Sequence, residues 1–414
     1  MQRNEHININ VQLMKHIDFW LGIPLCLFFT CYKSISEIIN FNARKKESIP
    51  QKILFIKLSE LGAIVLAYPL LRHIKEKFPR CELFFVTFKG HKGIFNLLGQ
   101  IIPNENILEI RNNSLSSFIL DTFYVIRKLE KEHIYMAFDL EFFSRYTAIF
   151  AYLIKAKQRI GFYRYTFEGL YRGNFLTHKI QYNHLIHISK AYLSLGQAIE
   201  TEKKNTPDLY HEIKDTELSL PKYLSRCEIK EKVQKRLNDA GIDAANKLFL
   251  INPGEGNLPI REWPLNNFIS LSDLLLRDKS AHIIIVGCNG ANDKSEILLK
   301  AVNSHRCINF SGKTSLDELM ELFNIADALI TSDCGLAHLA MLTKINKFII
   351  FGPESPQVFA PLGNNTHIIY SNWPCSPCLS VLNHRNSKCA DNKCLKIISP
   401  ENIYKLVHEA TGLR

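Results

Sequence analysis

INPGEGNLPIREWP (residues 251–264) and TSDCGLAHLAMLTKINKFIIFGPESP (residues 331–356) decide the fold. Each couples an apolar, strand-like run to a polar turn containing glycine, and then to a helix-forming stretch. That junction is where open parallel sheets hold phosphorylated ligands. The expectation is an enzyme acting on a nucleotide-linked substrate.

The same grammar repeats outward from these stretches. KLFLINPG, HIIIVG, CINFSG, ALITSD and KFIIFGP read as strands in the second half, and ILFIK, ELFFVTF, ENILEI, YMAFDL and QRIGF in the first. Helices are expected after Gly62, over 116–130 and over 144–154. Strands alternating with helices imply βαβ units and a parallel sheet. Residues 201–228 are richer in charge and proline and hold the expected domain boundary. The chain therefore reads as α/β, with two Rossmann-like parallel-sheet domains, 47–225 and 226–414, facing one cleft.

A chain of 414 residues, 46% of them hydrophobic, has material for two cores and is neither disordered nor fibrous. Its 51 Lys+Arg against 40 Asp+Glu leave a net charge of +11, which favours acidic partners. No nucleic-acid module accompanies that charge, so nucleic acid is not an expected partner. Eleven cysteines are too dilute for a disulfide scaffold, so a reducing cytoplasm is expected. Residues 1–46 form an apolar arm. Its run IDFWLGIPLCLFFTC (17–31) contains Asp18 and Pro24 and is shorter than the ~20 residues needed to span a bilayer. A monotopic anchor fits it, with Trp20 near the headgroups and Arg44, Lys45 and Lys46 on the water side. The competing reading is a helix packed on the protein's own surface.

In ALITSDCGLAHLAM (328–341) a strand ends at Asp333, and a helix bearing His338 starts at Gly335. Backbone N–H groups there could hold a pyrophosphate, with Gly335 allowing close approach. Alternatively Asp333 simply caps the helix and His338 packs. Arg261 follows a Pro-Gly turn and precedes Trp263-Pro264, placed for bidentate phosphate contact unless it is an ordinary surface arginine. NFSGKTSLDEL (309–319) superficially resembles the end of a P-loop. The earlier glycine that motif requires would fall at Cys307, so that reading is rejected.

Together these motifs resemble glycosyltransferase family 9, the heptosyltransferase family of lipopolysaccharide core synthesis. The Pro-Gly turn, R-x-W-P, D-x-G-x-x-H and FGPESP occur in the family's order, and ILFIKLSELGAIVLAYPLLRHIKEKFP resembles its opening strand, loop and helix. The resemblance implies a GT-B fold with an acceptor-binding first domain and a nucleotide-sugar-binding second domain. It places Arg261 at a phosphate contact, Asp333, Gly335 and His338 in the donor motif, and Gly312, Lys313 and Thr314 near the base. Asp293 or Glu296 would reach the ribose. The implied reaction moves heptose from ADP-heptose to an anionic glycolipid at the inner leaflet, with inversion and no catalytic cofactor. The implied location is cytoplasmic, peripheral to the inner membrane.

One departure matters. The family's first loop commonly reads Gly-Asp, the Asp serving as general base, whereas Gly62 is followed here by Ala63. Glu141, Glu60 and Asp139 are the substitutes, each alternatively a solvated charge or a cap. A catalytically degenerate nucleotide-sugar-binding subunit, or another GT-B enzyme such as a sugar-nucleotide epimerase, are the rival readings. Cys375, Cys378, Cys389 and Cys394, within the Cys-rich loop 375–394, make a structural zinc the candidate metal.

Overall fold

The computed structural model describes residues 11–39, 49–164, 170–200, 212–243, 246–254, 258–287 and 292–413. The chain divides into two compact units, Met1–Ser219 and Leu220–Arg414. The described residues of the apolar arm, 11–39, fall within the first unit.

In the first unit, β1 (Lys52–Ile56), β2 (Glu82–Phe88), β3 (Ile107–Ile110), β4 (Met136–Asp139), β5 (Gln158–Tyr163) and β6 (His178–Gln181) form one sheet in the order β3-β2-β1-β4-β5-β6. Every pairing is parallel. Helices cover both faces of such a sheet, so its central strands must be apolar on both sides. That is why Ile53, Leu54, Phe55 and Ile56 are fully buried. Phe55 stacks on Phe138 of the neighbouring strand, with ring centroids 5.1 Å apart.

The second unit repeats the plan with β7 (Lys247–Asn252), β8 (Ala281–Ile285), β9 (Cys307–Asn309), β10 (Ala328–Ser332), β11 (Asn346–Phe351) and β12 (Thr366–Tyr370). Its order is β12-β11-β10-β7-β8-β9, again all parallel. Counted from its own first strand, each sheet has the 3-2-1-4-5-6 order of a doubly wound fold. Strand order reverses between β1 and β4 in one and between β7 and β10 in the other. Ligands of such sheets bind outside the carboxyl ends at that point.

Two strands were not anticipated from the sequence. HKIQ of β6 and THIIY of β12 are edge strands, and β12 has no buried position. They lack the unbroken apolar run that marked the others. The helix expected after Gly62 is two helices, Leu61–Leu66 and Tyr68–Lys77, divided at Ala67 just before Pro69.

Among the described residues of the arm are helices Val11–Trp20 and Gly22–Ile39. Helical hydrogen bonds continue across the junction, Leu21 N–H to Ile17 O and Leu25 N–H to Leu21 O. The interruption lies where Pro24 has no N–H to offer Trp20. Arg44, Lys45 and Lys46 lie outside the described residues.

Candidate active site

β7 stops at Asn252 because Pro253 cannot donate to a ladder. Asn252 is buried, and its Nδ2 donates to Thr331 Oγ1 at 3.1 Å and to Cys334 Sγ at 3.4 Å, tying the ends of β7 and β10 together. Eleven positions on, Trp263 anchors the returning chain. It is 1% exposed, its N–H donates to Ser332 Oγ at 3.0 Å, and its indole Nε1–H donates to Ile398 O at 3.0 Å.

That anchor fixes Arg261 at the switch point. Its Nη1 lies 3.3 Å from Asp333 Oδ2 and 3.8 Å from Glu354 Oε1. His338 Nε2 is 4.0 Å from Asp333 Oδ1, and Arg385 Nε is 3.1 Å from Glu354 Oε1. Two arginines, two buried acids and a histidine thus share one cluster. Burial raises the Asp333 carboxyl above its ordinary value, against the opposing pull of Arg261. Burial also lowers Arg385 to about 10, which leaves it charged at neutral pH. Asp333 does not cap the following helix. Cys334 holds that position, without a side-chain capping bond to the helix, and the helix Gly335–Leu339 is a single short turn. A Cβ on Gly335 would meet nothing within 4 Å, so packing does not require glycine there.

Gly312, Lys313 and Thr314 form the turn after β9, two strands from β7 along the same edge. Gly312 takes φ 67°, a conformation suited to glycine, and Lys313 Nζ folds back on Asn309 O at 3.1 Å. Of the two ribose candidates, Glu296 is occupied by Asn309 Nδ2 at 2.7 Å, while Asp293 is exposed.

In the first unit, β1 and β4 bring Glu141 against the β1 loop. Its carboxylate accepts from Lys57 Nζ at 2.9 Å, Leu58 N–H at 2.8 Å and Ser59 N–H at 3.1 Å. Burial alone would raise its pKa, but Lys57 and these donors outweigh it and hold the group below its ordinary value. Asp139 is fully buried and paired with Arg172, itself 1% exposed, and it accepts from Thr147 Oγ1 at 3.0 Å. Burial raises the Asp139 pKa despite Arg172. Glu60 is exposed and holds φ 67° at the start of helix Leu61–Leu66, a left-handed conformation that costs a non-glycine residue ~1–3 kcal/mol. Ala63, in the same helix, is buried.

Cys375, Cys378, Cys389 and Cys394 line one cavity of about 360 Å³. Cys378 Sγ lies 3.7 Å from Ser387 Oγ, and Cys389 Sγ donates to Asp391 O at 3.1 Å. Among the described residues no three His, Cys, Asp or Glu side chains are arranged to hold a metal ion. The loop also braces the arginine cluster. Asn392 Nδ2 donates to Ile260 O at 3.2 Å and Glu262 O at 3.0 Å, on either side of Arg261.

Sequence reading missed Lys57, Arg172, Glu354, Arg385 and Asn392 as parts of these sites. Lys57 carried a signal, as a lysine closing an apolar strand, where a buried charge must find a partner, and Glu354 lay within the FGPESP run.

The model for glycosyltransferase family 9 (heptosyltransferase) matches residues 125–388. Lipopolysaccharide heptosyltransferase 2 of Escherichia coli is 28% identical over 120 residues, 28% of this chain and 34% of that protein. The match thus spans about a third of that relative's length. Lipooligosaccharide heptosyltransferase 2 of Campylobacter jejuni is 25% identical over 358 residues, 85% of this chain and 95% of that protein. The solved structure of the E. coli ADP-heptose lps heptosyltransferase II covers 87% of this chain and 98% of its own, with TM-score 0.67 and 18% identity. That likeness shows a shared fold, the two-domain α/β GT-B fold expected from the sequence.

Proposed function

Because the chain belongs to glycosyltransferase family 9, the heptosyltransferase family, we propose that it moves a heptose from ADP-heptose to a lipopolysaccharide-core or related glycolipid acceptor. Inversion at the anomeric carbon, without a metal ion or other cofactor, is part of that reading. A carboxylate of the β1 loop takes the acceptor's hydroxyl proton, and the oxygen bonds to the anomeric carbon as the bond from that carbon to the phosphate oxygen breaks. ADP leaves carrying the electron pair, and Arg261 meets its developing charge. The observation that supports this most is the Arg261–Asp333–His338 cluster at the switch point of the second sheet. A protein with the same fold, the E. coli ADP-heptose lps heptosyltransferase II, is named for ADP-heptose. The work is expected on the cytoplasmic side of the inner membrane.

The binding half is tested with ADP alone. At a hundredfold excess over Kd and without divalent metal, ADP should stabilise the protein by about 2.7 kcal/mol, read as a rise in Tm. Stabilisation that requires Mg²⁺ or Mn²⁺ would overturn the metal-free mechanism. The catalytic half is tested by ADP release from ADP-heptose in the presence of a heptose-deficient glycolipid extract. Arg261→Ala should lower kcat/KM by a charge-assisted contact, about 1.5–3 kcal/mol. Because its neighbours Asp333 and Glu354 are acids, losing Arg261 also leaves them less compensated, so Tm is followed in parallel. Unchanged kinetics would remove Arg261 from the donor site.

Ala63 favours a second reading, a degenerate subunit that binds the nucleotide sugar without transferring it. ADP-heptose would then stabilise the protein, and no acceptor would release ADP.

A further inference from the structure

The N-terminal helices present two faces of opposite character. Along one side, residues at helical spacing grip the first unit. Met14 packs into the cluster that includes Phe118 and Phe150. Asp18 accepts from Arg145 N–H at 3.0 Å and Tyr146 N–H at 2.9 Å, at the start of helix Arg145–Leu153. It also pairs with the Arg145 guanidinium at 3.3 Å. A Cβ added to Gly22 would come within 2.8 Å of Arg145 Cβ, so glycine is what lets the helix approach. Cys26 is fully buried against Ala148 and Phe175, and Thr30 Oγ1 accepts from Asn174 N–H at 3.1 Å. The positions 14, 18, 22, 26 and 30 make one stripe at i, i+4 spacing.

The other side is apolar and open. Trp20, Leu21, Phe28, Tyr32, Ile38 and Ile39 are each 59–76% exposed. The helix Leu115–Glu132 continues this surface with Leu120, Phe123 and Tyr124, each 63–69% exposed. It sits beside the first helix, because Met14 and Phe118 share a cluster and Thr122 Oγ1 bonds Tyr146 Oη at 2.8 Å. Apolar surface of this extent marks an interaction site.

We propose that these helices form one in-plane docking face for an anionic bilayer, and that the N-terminal helix lies on the membrane without crossing it. By length and composition the 24-residue segment Leu13–Ser36 could span a membrane. Its grip forbids that, since a bilayer closing around it would have to displace the globular unit held against it from Met14 to Thr30. The bilayer is favoured as occupant by charge. Asp18 faces inward, Asp121, Glu130 and Glu132 of the helix Leu115–Glu132 are paired with Arg111, Lys155 and Lys52, the net charge is +11, and Arg44, Lys45 and Lys46 follow in sequence. Trp and Tyr at the open edge suit the headgroup layer.

The test uses the full chain in flotation with phosphatidylglycerol-containing and pure phosphatidylcholine vesicles. Binding is expected to the first and to fall at least about tenfold on the second. The double variant Trp20→Asp/Phe28→Asp should lose about tenfold or more in partition, and Leu120→Asp/Phe123→Asp about threefold or more, with Tm unchanged. Alkaline carbonate should release the bound wild type. Retention after carbonate, or variant partition within twofold of wild type, overturns the proposal. Lipid-independent dimerisation abolished by the same substitutions overturns it in favour of self-association. None of these readouts depends on transfer activity.

Discussion

Glu60→Gln is expected to lower turnover by roughly 10²–10⁴-fold while sparing donor binding, because the amide keeps the shape of the carboxylate and loses its basicity. The reason for choosing Glu60 is accessibility. Asp139 is fully buried against Arg172, and the Glu141 carboxylate is occupied by Lys57 and two backbone N–H groups that hold its pKa low. Glu60 lies on the loop after β1, exposed, in a left-handed conformation that the fold maintains at a cost. Strained positions of this kind cluster at functional sites.

Glu141→Gln is the contrasting control. It removes the anion that Lys57 and the Leu58 and Ser59 N–H groups share, so Tm should fall along with turnover. Ala63→Asp should add little if Glu60 is the base. Steady-state kinetics and ADP titration of the three variants decide the matter. Full activity of Glu60→Gln sinks this assignment. Activity that appears only with Ala63→Asp would identify the natural chain as a binding subunit.

The sheets were legible because strands covered on both faces need unbroken apolar runs, as in Ile283, Ile284 and Ile285. β6 and β12 were not, because edge strands meet the core on too few positions to leave that mark. The cluster of Arg261 and Asp333 was half legible. Arg261 and Asp333 each stood out beside a turn, but their meeting depends on β7 lying next to β10, and 72 positions separate them. Glu141 shows the harder limit. Nothing local to YMAFDLE reveals that Lys57, 84 positions earlier, closes on that carboxylate. The arm was legible as apolar, yet the grip through Asp18 and Gly22 requires knowing where Arg145 stands.

Arg172→Met should destabilise the first unit by about 3–5 kcal/mol at pH 7, enough to lower Tm sharply, because it leaves the Asp139 carboxylate buried and uncompensated. Arg172 Nη2 pairs with Asp139 and lies 3.3 Å from Thr147 Oγ1, while Nη1 reaches Glu141 O and Phe162 O at 3.4 Å. One guanidinium therefore holds the carboxyl end of β4, the backbone of Glu141 and the neighbouring strand. The pH dependence separates lost charge pairing from lost packing. With Arg172 gone, the folded-state pKa of Asp139 rises further above its unfolded value of about 3.9. Between those two values the folded state binds more protons than the unfolded state, so the variant's stability falls as pH rises through that window. The deficit relative to wild type should accordingly shrink toward pH 4 and be largest above the raised pKa. Adding Asp139→Asn should recover a large part of it at pH 7, since the orphaned charge is then removed. Denaturant melts of the single and double variants at pH 5 and pH 8 measure this. A deficit of equal size at both pH values, unrelieved by the second substitution, would show that Arg172 acts through packing and not by neutralising Asp139.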